Sequence, residues 1–161
     1  PFDAHFLVPA FFEGGRIPRD GTRYLWIRGS DHWWDWLHHV LPGAAAREID
    51  AAYTIMTRIE SSEVEHYVVG GHSLGGCVAA IVRGLMRRHG LSVEPIPCGA
   101  KRAPRGYNDC QVYVSRGDIV PGLPPWRPAY TSTAYLGERK PFWEAHHPES
   151  YKEARRMVGL R

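Results

Sequence analysis

The sequence predicts an α/β fold in which a mostly parallel central sheet is flanked by helices on both faces. Short apolar runs that suit buried strands alternate along the chain with longer segments of helical periodicity. The pattern also fits within 161 residues, the length of one domain burying roughly two-thirds of the surface its unfolded chain exposes.

In order along the chain, Gly14-Gly15 and Asp20-Gly21 punctuate a loop or hairpin. Tyr24–Ile27 is a short buried strand, and Asp31–Val40, rich in Trp and His, is a short helix. Ala44–Ile59 reads as a longer helix, because Ala45, Ile49, Ala52, Tyr53, Met56 and Ile59 recur at spacings of three and four. Pro42 and Gly43 stand at its start, where a helix tolerates them. His66–Val69 is a second strand and Leu74–His89 a second long helix, which Gly90 stops. Val93–Cys98, Gln111–Ser115 and the Thr- and Tyr-rich Tyr130–Leu136 are further strands. Pro121–Pro128 is a Pro-rich loop, and Pro148–Val158 a final helix with Pro148 in its first turn. No repeat or compositional break divides the chain, so one domain over residues 1–161 is expected. In such sheets chemistry gathers at the carboxyl ends of the strands.

Composition excludes several classes. Hydrophobic residues are 43% and charged residues 23% of the chain, ordinary for a folded domain and unlike a disordered one. The formal charge of +3 is scattered; Arg87-Arg88 and Lys101-Arg102 are its densest groups, so no basic stripe for nucleic acid is expected. Cys77, Cys98 and Cys110 are odd in number and fit neither a zinc-site spacing nor a disulfide framework. Reduced, buried thiols are expected, with Cys98–Cys110 the one pairing left open. Residues 1–12 carry no basic n-region or small-residue cleavage site, and no run approaches the ~18 apolar residues of a membrane span. A cytoplasmic location is the resulting expectation, although the first residue is not Met. His38 and His39 are adjacent on an expected helix and do not share a face, so no metal is expected, and no cofactor motif is present. The sequence does not set the oligomeric state.

Gly71-His72-Ser73-Leu74-Gly75 matches the nucleophile-elbow pattern G-x-S-x-G. Alone, that pattern arises by chance in about one chain in twenty of this length, so its placement carries the weight. It follows the strand ending Tyr67-Val68-Val69 and precedes a helix. A tight strand-to-helix turn holds the Ser73 backbone in strain and turns its hydroxyl out of the sheet. Gly71 and Gly75 leave room for crowded backbone, and the helix N-terminus favours negative charge nearby. The Leu74 amide is then placed to donate to a developing oxyanion. His72 reads as a packing residue pointing away from the serine.

Several segments together resemble the class 3 lipase family, the fungal-type triacylglycerol lipases and their relatives. The GHSLGG elbow at 71–76 has the form common there. Leu25-Trp26-Ile27-Arg28-Gly29-Ser30, followed by Asp35-Trp36, is similar to that family's F-R-G-[ST] strand and D-W pair. Gly117-Asp118-Ile119-Val120-Pro121-Gly122-Leu123-Pro124 is similar to its D-[IV]-V-P-x-L-P loop, and Cys98-Gly99-Ala100-Lys101-Arg102 is a weaker echo of F-G-A-P-R. The resemblance implies a compact α/β-hydrolase fold, Ser30 as a second oxyanion donor beside Leu74, and Asp118 as a triad acid. Departures fall on the substrate side: Leu41-Pro42-Gly43-Ala44 replaces the usual His-x-Gly-Phe, and position 27 is Ile instead of Phe.

Asp118 follows the strand Gln111–Ser115 and a glycine, which puts a carboxylate on a loop at a strand's carboxyl end. A triad acid must sit there to fix a histidine's tautomer. A base that follows the acid in the chain order Ser, Asp, His is either His146 or His147. The family's histidine stands five positions before a Tyr, and His146 has that spacing to Tyr151; His146 is therefore preferred, with His147 as the helix cap.

Trp33, Trp34 and Trp36 follow Ser30 in the stretch where the family carries a mobile lid; they suit either contact with an acyl chain or packing on the sheet. Trp126, Phe142 and Trp143 flank Asp118 and the histidines and are candidates for the same pocket. The reading is a serine ester hydrolase for a small-molecule or lipid ester, with Trp33, Trp34, Trp126 and Trp143 on the substrate side and peripheral contact with a lipid surface. A thioesterase, acyltransferase or peptidase would share the triad, and a binding module would keep the fold without turnover.

Overall fold

Among the described residues, six strands join in one sheet whose spatial order is their order in the chain. The computed structural model describes residues 12–13, 22–29, 43–57 and 66–152. Within them lie β1 (Phe12–Glu13), β2 (Thr22–Ile27), β3 (His66–His72), β4 (Ser92–Cys98), β5 (Gln111–Ser115) and β6 (Ser132–Leu136). β1 is antiparallel to β2, and β2 through β6 are parallel. Helices α1 (Ala44–Thr57) and α2 (Leu74–Arg88) form part of the connections from β2 to β3 and from β3 to β4. A one-turn helix, α3 (Phe142–Ala145), and 3-10 turns at Val120–Gly122 and Pro148–Tyr151 complete the described elements. The expected elements at 14–21, 31–40 and 153–158 lie outside the described residues. No helix among the described residues is long and apolar enough to cross a membrane.

Parallel neighbours require crossovers, and right-handed crossovers along a sheet that never reverses its order land on one face. Accordingly α1 packs on α2, and α2 packs on β2, β3 and β4. Their core includes Leu25 and Ile27 of β2, Tyr67 and Val69 of β3, and Val112 and Val114 of β5. The intervening residues form a second core on the other face, with Val68, Ile96 and Cys98 packed around Tyr151 and against Tyr24, Trp26, Tyr113 and Leu136. Apolar side chains thus pack on both faces of the sheet. Helix α2 lies at the centre, with every residue from Leu74 to Val82 buried; its Gly-Gly-Cys-Val-Ala-Ala run lets the backbone approach the strands closely. Each fully buried Ile, Val or Leu here contributes about 1.5–3 kcal/mol.

The ladder between β4 and β5 is short, and the buried face of α1 departs from the expected one. β4 and β5 pair only at Cys98 and Tyr113. Pro95 and Pro97 share a strand side with Gly99, whose amide donates to Tyr113 O (2.8 Å); the prolines have no N–H to offer β5. The buried stripe of α1 is also set about one residue back from the expected one, through Ala44, Glu48, Ala51, Ala52 and Ile55, leaving Tyr53 49% exposed. The cause is Glu48. Its carboxylate is buried in an ion pair with Lys101 and another with Arg127 (2.6 Å), and Cys77 Sγ donates to it at 3.6 Å. A charge placed by such specific partners outweighs a one-residue shift in apolar periodicity.

Removing that carboxylate leaves Lys101 and Arg127 buried without their counter-charge. Glu48→Ala is expected to cost about 3–5 kcal/mol in urea unfolding at neutral pH; a loss below 1 kcal/mol would mean that the two cations find other partners or solvent.

Candidate active site

At the carboxyl end of β3 the chain turns abruptly into α2, and Ser73 occupies the turn with φ 56° and ψ −120°. It is the one non-glycine residue with positive φ among the described residues, a conformation costing about 1–3 kcal/mol that the surroundings must enforce. They do so by packing: a Cβ at Gly75 would collide with the main chain of Ile27 and Arg28. The Ser73 amide donates to Cys98 O (2.9 Å), tying the turn to the end of β4. Ser73 is buried, and Leu74 holds the first position of α2. The Leu74 amide has no acceptor within the helix, and the helix dipole favours an anion beside it.

Asp118 stands beyond β5, two strands from Ser73, in a turn closed by its own amide on Ser115 O (2.9 Å). Its side chain is fully buried. Oδ1 accepts the Val120 amide at 2.9 Å, and Oδ2 accepts the Tyr151 hydroxyl. That hydroxyl in turn accepts the Ser115 amide (3.1 Å). A Cβ at Gly99 (φ +53°) would lie 2.7 Å from the Tyr151 hydroxyl and 2.9 Å from Asp118 Oδ2, so this arrangement requires a glycine there.

His146 follows α3 directly and joins the two. Its Nδ1 lies 2.8 Å from Asp118 Oδ2 and its Nε2 3.0 Å from Ser73 Oγ. The tautomer follows from the partners: a carboxylate accepts only, so Nδ1 carries the proton and Nε2 is free to accept from the hydroxyl. The arrangement can take the Ser73 proton onto Nε2 while the carboxylate stabilises the imidazolium. His147 instead caps the Pro148–Tyr151 turn, accepting the Glu149 amide at 3.3 Å.

The structure thus brings Ser73, Asp118, His146 and the Leu74 amide to one place. Ser30, Trp33 and Trp34 lie outside the described residues. Trp126 and Trp143 are 62% and 72% exposed. Cys77, Cys98 and Cys110 are all buried and free, so Cys98–Cys110 is not a disulfide. Among the described residues no cluster of three or more His, Cys, Asp or Glu is placed to hold a metal ion.

Two contacts escaped the sequence reading. Tyr151 served there only as a spacing marker, yet it is fully buried and bonds Asp118; burial and then the Asp118 charge raise its pKa. His72 does point away from Ser73, but its ring lies 4.8 Å from that of His146 and 5.2 Å from that of Tyr151, centroid to centroid. Burial first, and then the neighbouring His146, lower its pKa to about 4. Strand alternation could have found it, since His72 shares a face with Val68 and Gly70.

No protein-family model and no curated protein matches the chain. Solved structures do. The nonglycosylated LIP2 lipase of Yarrowia lipolytica superposes with a TM-score of 0.58 at 17% identity, over 84% of this chain and 69% of that one. The mono- and diacylglycerol lipase of Aspergillus oryzae gives 0.58 at 16% identity, over 81% of this chain and 63% of that one. A Penicillium cyclopium protein, the N225Q mutant of MDLA, gives 0.52 at 15% identity, over 81% and 63%. The fold is therefore the α/β-hydrolase fold.

The His72 shift makes stability depend on pH. Unfolded, the imidazole takes a proton near its ordinary 6.5; folded, only near 4. Between those values the unfolded chain binds more protons, so stability rises with pH and is lost as pH falls from 6.5 toward 4. His72→Phe is expected to remove up to about 3 kcal/mol of that acid-side slope in urea unfolding. An unchanged slope would show that His72 titrates normally when folded.

Proposed function

We propose that this chain is a serine carboxylic ester hydrolase acting through an acyl-serine intermediate. The observation that carries the reading is the continuous line from Ser73 Oγ through His146 to Asp118, with contacts of 3.0 and 2.8 Å, set at a strained elbow on a helix N-terminus. In the first half-reaction Ser73 Oγ attacks the ester carbonyl carbon as its proton passes to His146 Nε2. The tetrahedral oxyanion is stabilised by the Leu74 amide and by Ser30. Collapse breaks the bond to the alcohol oxygen, which leaves with the proton from His146. In the second half-reaction water gives a proton to His146 and attacks the acyl-serine; collapse frees the acid and returns the proton to Ser73. Asp118 keeps the imidazole oriented and balances its charge throughout, and the Tyr151 hydroxyl and Val120 amide hold the Asp118 carboxylate in place.

The substrate is a small-molecule or lipid ester. Support for the lipid side is the likeness to the Yarrowia and Aspergillus lipases and the exposed aromatics Trp126, Phe142 and Trp143 in segments flanking Asp118 and His146. Trp33 and Trp34 complete the acyl-binding side, and contact with a lipid surface passes through the same aromatics.

Turnover of 4-nitrophenyl esters from acetate to laurate tests the reading. Ser73→Ala and His146→Ala are each expected to lower kcat by about 10⁴-fold or more, and His147→Ala by less than about threefold. Larger damage from His147→Ala than from His146→Ala would reassign the base. A rate on the matching acyl thioester far above that on any oxygen ester would favour a thioesterase.

A further inference from the structure

His146 is lightly held for a group that must span two partners. It stands after a single helical turn, and its side chain is 21% exposed. Two hydrogen bonds fix its nitrogens, but they do not by themselves stop the ring tilting about the line between them. On its inner side lies His72, the last residue of β3, whose ring is inclined 36° to that of His146 and 54° to that of Tyr151. Tyr151 is anchored by Asp118 and by the Ser115 amide. The His72 ring therefore sits in tilted contact between Tyr151, which the sheet anchors, and His146. His72 is neutral at working pH, so it adds no repulsion when His146 gains a proton. Its Nε2 is buried without a partner, so that nitrogen does not compete for Ser73 or Asp118.

We propose that His72 is a positioning residue, whose ring acts as a wedge that keeps the His146 imidazole in line between Ser73 Oγ and Asp118 Oδ2. It works through shape and not through proton transfer. The proposal rests on the ester-hydrolase reading for its kinetic consequences.

The test compares His72→Ala, His72→Phe and His72→Gln with the parent, using a 4-nitrophenyl ester well below each variant's melting temperature and Ser73→Ala as the zero. Loss of the wedge is expected to lower kcat of the Ala and Gln variants about 10- to 30-fold with KM changed less than twofold, because misalignment acts on the reacting geometry. Phe keeps a ring of similar shape and is expected to recover kcat to within about threefold of the parent. Gln recovering better than Phe would overturn the proposal in favour of a polar role, and parent-like kcat in all three would remove any role. If the Ala variant does not fold, Phe against Gln decides alone. The low-field NMR resonance of the His146–Asp118 proton is an independent readout: it should stay sharp in the parent and Phe variant and broaden in the Gln variant. Should the parent show no Ser73-dependent turnover, the ester-hydrolase reading fails, and this resonance still decides the wedge; equal sharpness in parent, Phe and Gln would refute it.

Discussion

The end of the sheet is organised by a distance that no two of its side chains can cover alone. Ser73 follows β3 and Asp118 follows β5, with β4 between them. Two strand spacings are about 9–10 Å, too far for a hydroxyl to meet a carboxylate but right for an imidazole with a hydrogen bond at each end. His146 makes that span, at 3.0 and 2.8 Å. The space it needs lies over the end of β4, and there the chain places Gly99, whose missing side chain leaves room for the Tyr151 hydroxyl and Asp118 Oδ2. Each anchor is then fixed to the sheet separately: Ser73 by its amide on Cys98 O, Asp118 by its own amide on Ser115 O and by Tyr151.

Buried charge supports the same region from below. Glu48 on α1 meets Lys101, which follows β4, and Arg127, at the far end of the segment that begins with Asp118. Arg102 donates to the carbonyls of Pro125 and Arg127 (2.9 and 2.8 Å), and its amide donates to Leu123 O (2.7 Å). The loop from Asp118 to Arg127 contains little regular structure, so its shape is set by these contacts with groups from other elements. That dependence explains how a buried acidic residue can be tolerated on a core-facing helix: two cations from other elements balance its charge.

Much of this was legible in the residues. Gln111–Ser115 was bounded correctly, and the alternation of strands and helices gave the parallel sheet. The elbow could be read because Gly71, Ser73 and Gly75 answer a steric problem local to one turn. Contacts between distant segments could not be read this way. Nothing near Glu48 in the chain announces Lys101 or Arg127, 53 and 79 residues away, so an apolar periodicity was followed where an ion pair decides. Tyr130–Leu136 also began early, because Thr131 bonds Asn108 O and Cys110 O before the ladder with β5 starts at Ser132. His72 was seen to point away from the serine; that it points under His146 depends on where a segment 74 residues later returns.

A fluorophosphonate tests the Ser73–His146–Asp118 line without any assumption about the ester. It reacts with a serine only where a base removes the hydroxyl proton and an oxyanion site accepts the phosphoryl oxygen. Intact mass and peptide mapping of the folded protein after treatment should show one adduct per chain, on Ser73. A folded protein that takes up no phosphonate, or takes it up on another residue, would contradict the account.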